Sequence, residues 1–216
     1  MRRGEARANY RPPRAAASRI ELATVMDKRI EQQSHPGAEP APGDIWVFGY
    51  GSLMWRPGFP YRVVEPALLR GYHRAFCVYS VRYRGTPERP GLVVGLDRGG
   101  SCRARAFCVA AADADAVCDY LDARELVTGV YHRRLVPVEL PGRRVMAHAY
   151  VADRAHRQYA GKLSLSEAAE VIVAGRGAEG DNRIYLENTV AQLDDLGLND
   201  GPLHALLRLV RERRVE

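Results

Sequence analysis

Two short segments hold residues whose types and spacing suit chemistry. In the first, the apolar run Ile45-Trp46-Val47-Phe48 passes directly into Gly49-Tyr50-Gly51-Ser52-Leu53-Met54-Trp55. Two glycines flanking one residue let the backbone turn sharply and leave its N–H groups facing outward, which suits an anionic or carbonyl oxygen. A dinucleotide fingerprint would need a third glycine where Met54 stands, and a phosphate-binding loop would need Gly-Lys-Ser/Thr, which is absent. A plain strand-end turn has the same composition. In the second segment, Tyr120-Leu121-Asp122-Ala123-Arg124-Glu125 closes a predicted helix. A carboxylate at a helix end beside a core edge is placed for general acid/base work once partly desolvated. The competing reading is a solvated Glu125 paired locally with Arg124.

Elements that must position these segments follow from the pattern around them. Strand-like runs at Ile45–Gly49, Arg62–Arg70, His73–Val81, Leu92–Asp97 and Arg103–Ala111 are separated by Gly- and Pro-bearing turns. A helix starts after Asp113, the expected N-cap, with Val117, Tyr120 and Leu121 on one face. Two further strands, Tyr131–Leu140 and Arg143–Ala152, join through Pro141-Gly142. Three helices close the chain. The first opens on the capping box Ser164-Leu165-Ser166-Glu167 and is expected to bury Leu165, Ala168, Ala169 and Ile172. The second repeats Leu186, Thr189, Val190 and Leu193, and the third, after Pro202, repeats Leu203, Leu206, Leu207 and Val210. Seven strands with one helix among them do not make a doubly wound parallel sheet. The pattern predicts an α+β fold, a mixed and mainly antiparallel sheet or barrel with flanking helices.

Composition narrows the class further. The chain has 216 residues, 46% hydrophobic and 27% charged, with 32 Lys+Arg against 26 Asp+Glu. That balance excludes collagen-like, mucin-like and wholly disordered chains, and no window reaches the roughly 18 uninterrupted apolar residues of a membrane helix. Residues 1–43 are Arg/Pro-rich, lack sustained periodicity and end in a Pro/Gly linker, so they read as a disordered N-terminal extension. Residues 44–216 read as one domain. Half of the net charge of +6 lies in the extension, leaving a nearly balanced body that does not suit nucleic acid. The N-terminus carries no apolar secretory core, so a cytoplasmic protein is expected. Cys77, Cys102, Cys108 and Cys118 show no C-x-x-C pair and no histidine at zinc-ligand spacing, so neither metal nor disulfide is expected. His73, His132, His148 and His156 form no arrangement that demands catalysis.

With both segments in view, the sequence resembles the ChaC-type, glutathione-specific γ-glutamylcyclotransferases. The resemblance rests on Val47–Trp55 and Arg84-Gly85-Thr86-Pro87-Glu88-Arg89-Pro90-Gly91, continues through Tyr120–Glu125 and Tyr150–His156, and ends in Gly180-Asp181-Asn182-Arg183-Ile184-Tyr185-Leu186. It implies a small mixed barrel with flanking helices and a substrate-binding segment at Val47, Phe48, Gly49, Tyr50, Gly51, Ser52 and Leu53. It further implies Glu125 as the catalytic acid/base, glutathione as a small-molecule substrate and no cofactor. Arg84, with Arg82, is a candidate partner for a substrate carboxylate, and Tyr185 a candidate pocket residue. Cyclisation of other γ-glutamyl amines, or a catalytically silent binding role, are the alternatives. One departure stands out: where the family often carries Gly-Pro-Ser-Gly, this chain has Gly175-Arg176-Gly177-Ala178-Glu179-Gly180.

Overall fold

Five strands close into a barrel because each has an apolar face to bury and no free edge to spare. In the computed structural model, which describes residues 39–213, these are β1 (Ile45–Gly49), β2 (Val63–Ser80), β3 (Gly91–Val109), β4 (Tyr131–Leu140) and β5 (Arg143–Ala152). Their order around the barrel is β1-β3-β2-β4-β5. The β1–β5 pair that closes it is parallel and the others are antiparallel, so the sheet is mixed, as the pattern predicts. Most of the expected disordered extension lies outside the described residues.

The four central runs expected as separate strands merge into two. Val63–Arg70 and Tyr72–Ser80 are one strand, as are Gly91–Arg98 and Ser101–Val109. Gly71, Gly99 and Gly100 all have positive φ, and the register shifts between Arg70 and Tyr72. A β-bulge bends the paired strands there without ending them, so a turn signal in the sequence became a bend in the structure. The lower halves carry β1 and β4 at their edges, and the upper halves, Tyr72–Ser80 on Gly91–Arg98, rise as a two-stranded ribbon.

Alternation along β1 divides the core. Trp46 and Phe48 join the large cluster with Leu69, Leu96, Ala104, Val138 and Ala149, whereas Val47 joins Phe59, Phe107 and Tyr150. Helix α1 (Ala114–Glu125) covers the second cluster with Val117 and Leu121. Helices α2 (Leu165–Ala174), α3 (Asn182–Asp195) and α4 (Gly201–Glu212) extend the first with Ile172, Leu186, Leu193, Leu206 and Val210.

The capping box forms as its spacing predicts: Ser164 Oγ accepts from Glu167 N at 3.2 Å, and Ser164 N donates to Glu167 Oε2 at 2.8 Å. Leu165, expected in the core, is 47% exposed, because it stands in the first turn where the apolar stripe outruns its partners. Leu163, just before the cap, packs on the core instead, alongside Ala168. Asp113 occupies the N-cap position of α1 but makes no side-chain cap.

Helices α3 and α4 are joined by His204, whose Nε2 lies 2.8 Å from Asp194 Oδ1 and whose Nδ1 lies 2.7 Å from the Asp200 carbonyl. The Asp200 carbonyl, with Asp194 adding to it, raises the His204 pKa above its ordinary 6.5 against the desolvation that lowers it. A raised folded value stabilises fully below pH 6.5, and that stabilisation is lost as pH rises through the folded value. The melting-temperature difference between wild type and His204→Gln should therefore be larger at pH 6 than at pH 8.5, read by thermal unfolding.

Candidate active site

Where β1 runs out, the chain turns over one end of the barrel and leaves a cavity of about 190 Å³ beside it. The turn is shaped by a close approach at Gly49. A Cβ there would fall 3.0 Å from Leu53 Cβ and 3.1 Å from Phe107 Cε2, so glycine lets the chain fold back onto itself without crowding either side chain. A single 3₁₀ turn, Ser52–Met54, follows, with Met54 N donating to Gly51 O at 2.9 Å and Arg56 N to Ser52 O at 2.8 Å. Tyr50, Gly51, Ser52 and Leu53 line the cavity. Val47, Phe48 and Gly49, the rest of the predicted substrate segment, do not; they are the buried strand that holds the turn in place.

Helix α1 delivers Glu125 to the same cavity at its last residue. Leu126 N closes the helix on Asp122 O at 2.9 Å, and Gly129, at φ +73°, turns the chain into β4. Tyr150 donates to Asp122 Oδ1 at 2.7 Å, and Arg133 pairs with Asp122 Oδ2 at 3.2 Å, so the end of α1 is tied to β4 and β5. Glu125 does pair with Arg124, Nε to Oε1 at 3.1 Å, but the pair is not on the open surface: each side chain is only 21% exposed and both line the cavity. Arg124 also donates to Ser52 Oγ at 2.7 Å and to the Arg56 carbonyl at 3.0 Å. One guanidinium thus joins the carboxylate to the glycine turn.

Tyrosines form much of the remaining wall. Burial, followed by the charge of Glu125, holds the Tyr50 phenol well above its ordinary pKa. Burial chiefly does the same at Tyr131 and raises Tyr185 as well, with Glu125 adding to both. They therefore stay neutral donors. Tyr131 donates to Val94 O at 2.9 Å, and Tyr185 Oη accepts from Val94 N at 3.5 Å, which fixes the strand forming the far wall. Beneath it, the fully buried Asn182 accepts from Leu92 N at 2.6 Å and donates to Leu92 O at 2.7 Å.

The unusual Gly175–Gly180 segment is a miniature hairpin, β6 (Arg176–Gly177) and β7 (Gly180–Asp181). It is hydrogen-bonded to the cavity rim, Ala178 N to Arg82 O and Glu179 N to Tyr83 O, both at 2.9 Å. A Cβ on Gly177 would lie 2.5 Å from the Tyr83 carbonyl carbon, so the contact requires glycine. The hairpin also engages Arg84, which donates to Glu179 O at 2.5 Å and lies 5.1 Å from the Tyr185 ring centroid. Arg84 is consequently not among the lining residues, whereas Arg82 is, its guanidinium against Tyr83. Tyr185 lines the cavity.

Sequence reasoning missed Tyr131, Tyr150 and Gln158 as lining residues, and treated Arg124 only as a surface partner. The signals were Arg124 standing inside the Tyr120–Glu125 block and Tyr150 opening the Tyr150–His156 block. Among the described residues no group of three His, Cys, Asp or Glu is placed to hold a metal ion. None of the helices in the described residues is long and apolar enough to cross a membrane.

The barrel and cleft define the γ-glutamylcyclotransferase-like fold. A crystal structure of a γ-glutamyl cyclotransferase specific to glutathione from yeast superimposes with a TM-score of 0.69 at 25% identity, covering 79% of this chain and 96% of that one. The family model for ChaC-like proteins matches residues 45–213, and the chain belongs to that family. Relatives include the glutathione-specific γ-glutamylcyclotransferase of Escherichia coli K12, 33% identical over 82% of this chain and 77% of that protein. The human glutathione-specific γ-glutamylcyclotransferase 1 is 37% identical over 67% of this chain and 68% of its own length.

Replacing Asn182 by Ala should cost on the order of 1–3 kcal/mol for each Leu92 backbone group left unpaired. The expected outcome is a melting temperature lowered by several degrees, measured by calorimetry.

Proposed function

We propose that this chain is a glutathione-specific γ-glutamylcyclotransferase that converts glutathione to 5-oxoproline and Cys-Gly. The observation that carries the reading is that Glu125 is the only carboxylate among the residues lining the cavity, and that it faces the Tyr50–Leu53 turn through Arg124. No histidine, cysteine or lysine lines the cavity, so the wall holds no thiol nucleophile and no histidine or lysine base to activate Ser52 or Ser80. A reaction whose nucleophile belongs to the substrate suits such a wall.

In a γ-glutamyl amide the free α-amine can reach the γ-carbonyl carbon and close a five-membered lactam. A C–N bond forms within the glutamyl residue, the amide C–N bond to cysteine breaks, and no water is consumed. Glu125 takes a proton from the attacking amine and returns one to the departing nitrogen, a role worth about 10²–10⁴ in rate. Backbone N–H groups of the Tyr50–Leu53 turn hold the substrate and the oxygen on which charge develops. The cavity walls fold the substrate so that amine and carbonyl meet. Arg82, at the rim and exposed, is the cation we assign to a substrate carboxylate. Arg84 is committed to Glu179 and serves the rim from behind.

The catalytic domain in this reading is residues 44–216, with residues 1–43 outside it. Four unpaired cysteines, three of them buried, support action in a reducing compartment such as the cytoplasm.

Incubating the protein with reduced glutathione should release 5-oxoproline and Cys-Gly in equal amounts. Glu125→Gln, isosteric and unable to take the proton, should lose about 10²–10⁴ of kcat with unchanged thermal unfolding. If wild type forms neither product at millimolar glutathione, the assignment fails.

A further inference from the structure

Arg74 is a charged residue in the wrong place for a solvated one: it projects from β2 into the core and is 6% exposed. All three of its guanidinium nitrogens are engaged. Nε donates to the Tyr50 carbonyl at 2.6 Å, Nη1 to Asp200 Oδ2 at 2.8 Å and Nη2 to the Arg103 carbonyl at 2.8 Å, with Met54 Sδ 3.8 Å from Nη2. Asp200 is itself fixed, since it caps α4 by accepting from Leu203 N at 3.3 Å. Burying such a pair is costly unless every group is hydrogen-bonded, and removing one partner strands the other.

The consequence lies one bond away. In a trans peptide the carbonyl and the following N–H point in opposite directions. Arg74 draws the Tyr50 carbonyl toward the core, so the N–H of the same peptide, that of Gly51, faces away from it. Gly51 lines the cavity, and a Cβ there would meet nothing closer than Val94 Cγ1 at 4.0 Å, so that face is open to a ligand. Because glycine at 51 leaves the peptide free to rotate, something else must fix its orientation.

We infer that Arg74, held by Asp200, is a positioning residue that locks the Tyr50–Gly51 peptide with the Gly51 N–H presented to the γ-glutamyl end of the substrate. The C-terminal helix α4 thereby sets the competence of a turn at the other end of the chain. This rests on the proposed reading of that turn as the substrate cradle. In this assignment the Gly51 N–H holds the bound glutamyl group rather than the oxygen on which charge develops, so the lock acts equally on ground and transition state and is expressed in KM more than in kcat.

The test uses two conservative variants of the full chain. Arg74→Lys keeps the charge but cannot reach three acceptors at once. Asp200→Asn keeps an N-cap of equal quality while removing the charge that holds the guanidinium. Each should raise the KM for glutathione about tenfold, the worth of one charge-assisted hydrogen bond, with kcat within about threefold. Spectra of the protein labelled with ¹⁵N-glycine should show the Gly51 amide resonance shifted or broadened in both variants while those of Gly142 and Gly197 stay in place. Folded variants with an unmoved Gly51 resonance, or with unchanged KM and only a lower melting temperature, overturn the lock. Should wild type not turn over glutathione, the proposed function falls, and the Gly51 resonance still decides whether Arg74 holds the peptide.

Discussion

A carboxylate that takes a proton from one nitrogen and returns it to another must sit beside the substrate and keep a fixed direction. Glu125 stands at the end of a helix, where backbone restraint fades, so its direction has to come from outside the helix. Ser52 and the carbonyl of Arg56 supply it through Arg124, the neighbouring residue of the helix, which reaches at once to both of them and to Glu125. Glu125, the proposed acid/base, and the turn that faces it are therefore tied into one body, although more than seventy residues of chain separate them. That tie works only because the ends of both elements are already anchored: α1 through Asp122 to Tyr150 and Arg133, and the turn through Arg74 to Asp200.

The barrel explains why so small a domain can hold these pieces still. Its closure by the parallel β1–β5 pair leaves β1 flanked by strands on both sides, so the chain leaving it has one path available. The upper ribbon of β2 and β3 has only a short antiparallel bridge, Val78 to Tyr159, along its β2 side and is further braced by side chains and the hairpin. Asn182 grips Leu92, Tyr131 and Tyr185 grip Val94, and the short hairpin lies along Arg82 and Tyr83. The segment in which this chain departs from the family's frequent pattern is thus part of the rim, where a change of sequence alters how the cavity mouth is held without touching Glu125.

Much of this arrangement was readable before any coordinates. β1 announced itself by its apolar run, the turn by its paired glycines, and the end of α1 by Glu125 followed by Gly129. The Ser164–Glu167 box formed with both reciprocal bonds because its information is local. What escaped was non-local. Gly71 and Gly99-Gly100 look like turns in sequence, and only the pairing of the two long strands makes them a bulge. Leu165 has helical spacing, yet burial depends on whether a neighbour extends that far. Arg74 reads as one more charge in an arginine-rich chain, and Arg84 as a candidate partner for a substrate carboxylate. Their partners, Asp200 and Glu179, lie 126 and 95 residues away, at separations where spacing carries no signal.

The central claim is that the substrate's own amine is the nucleophile and that water takes no part. Turning over glutathione in water enriched in ¹⁸O, with the products read by mass spectrometry, tests it directly. The account predicts 5-oxoproline carrying no ¹⁸O from the reaction and no free glutamate. Glutamate bearing one ¹⁸O in its γ-carboxylate would mean that water attacked the carbonyl, and would contradict it.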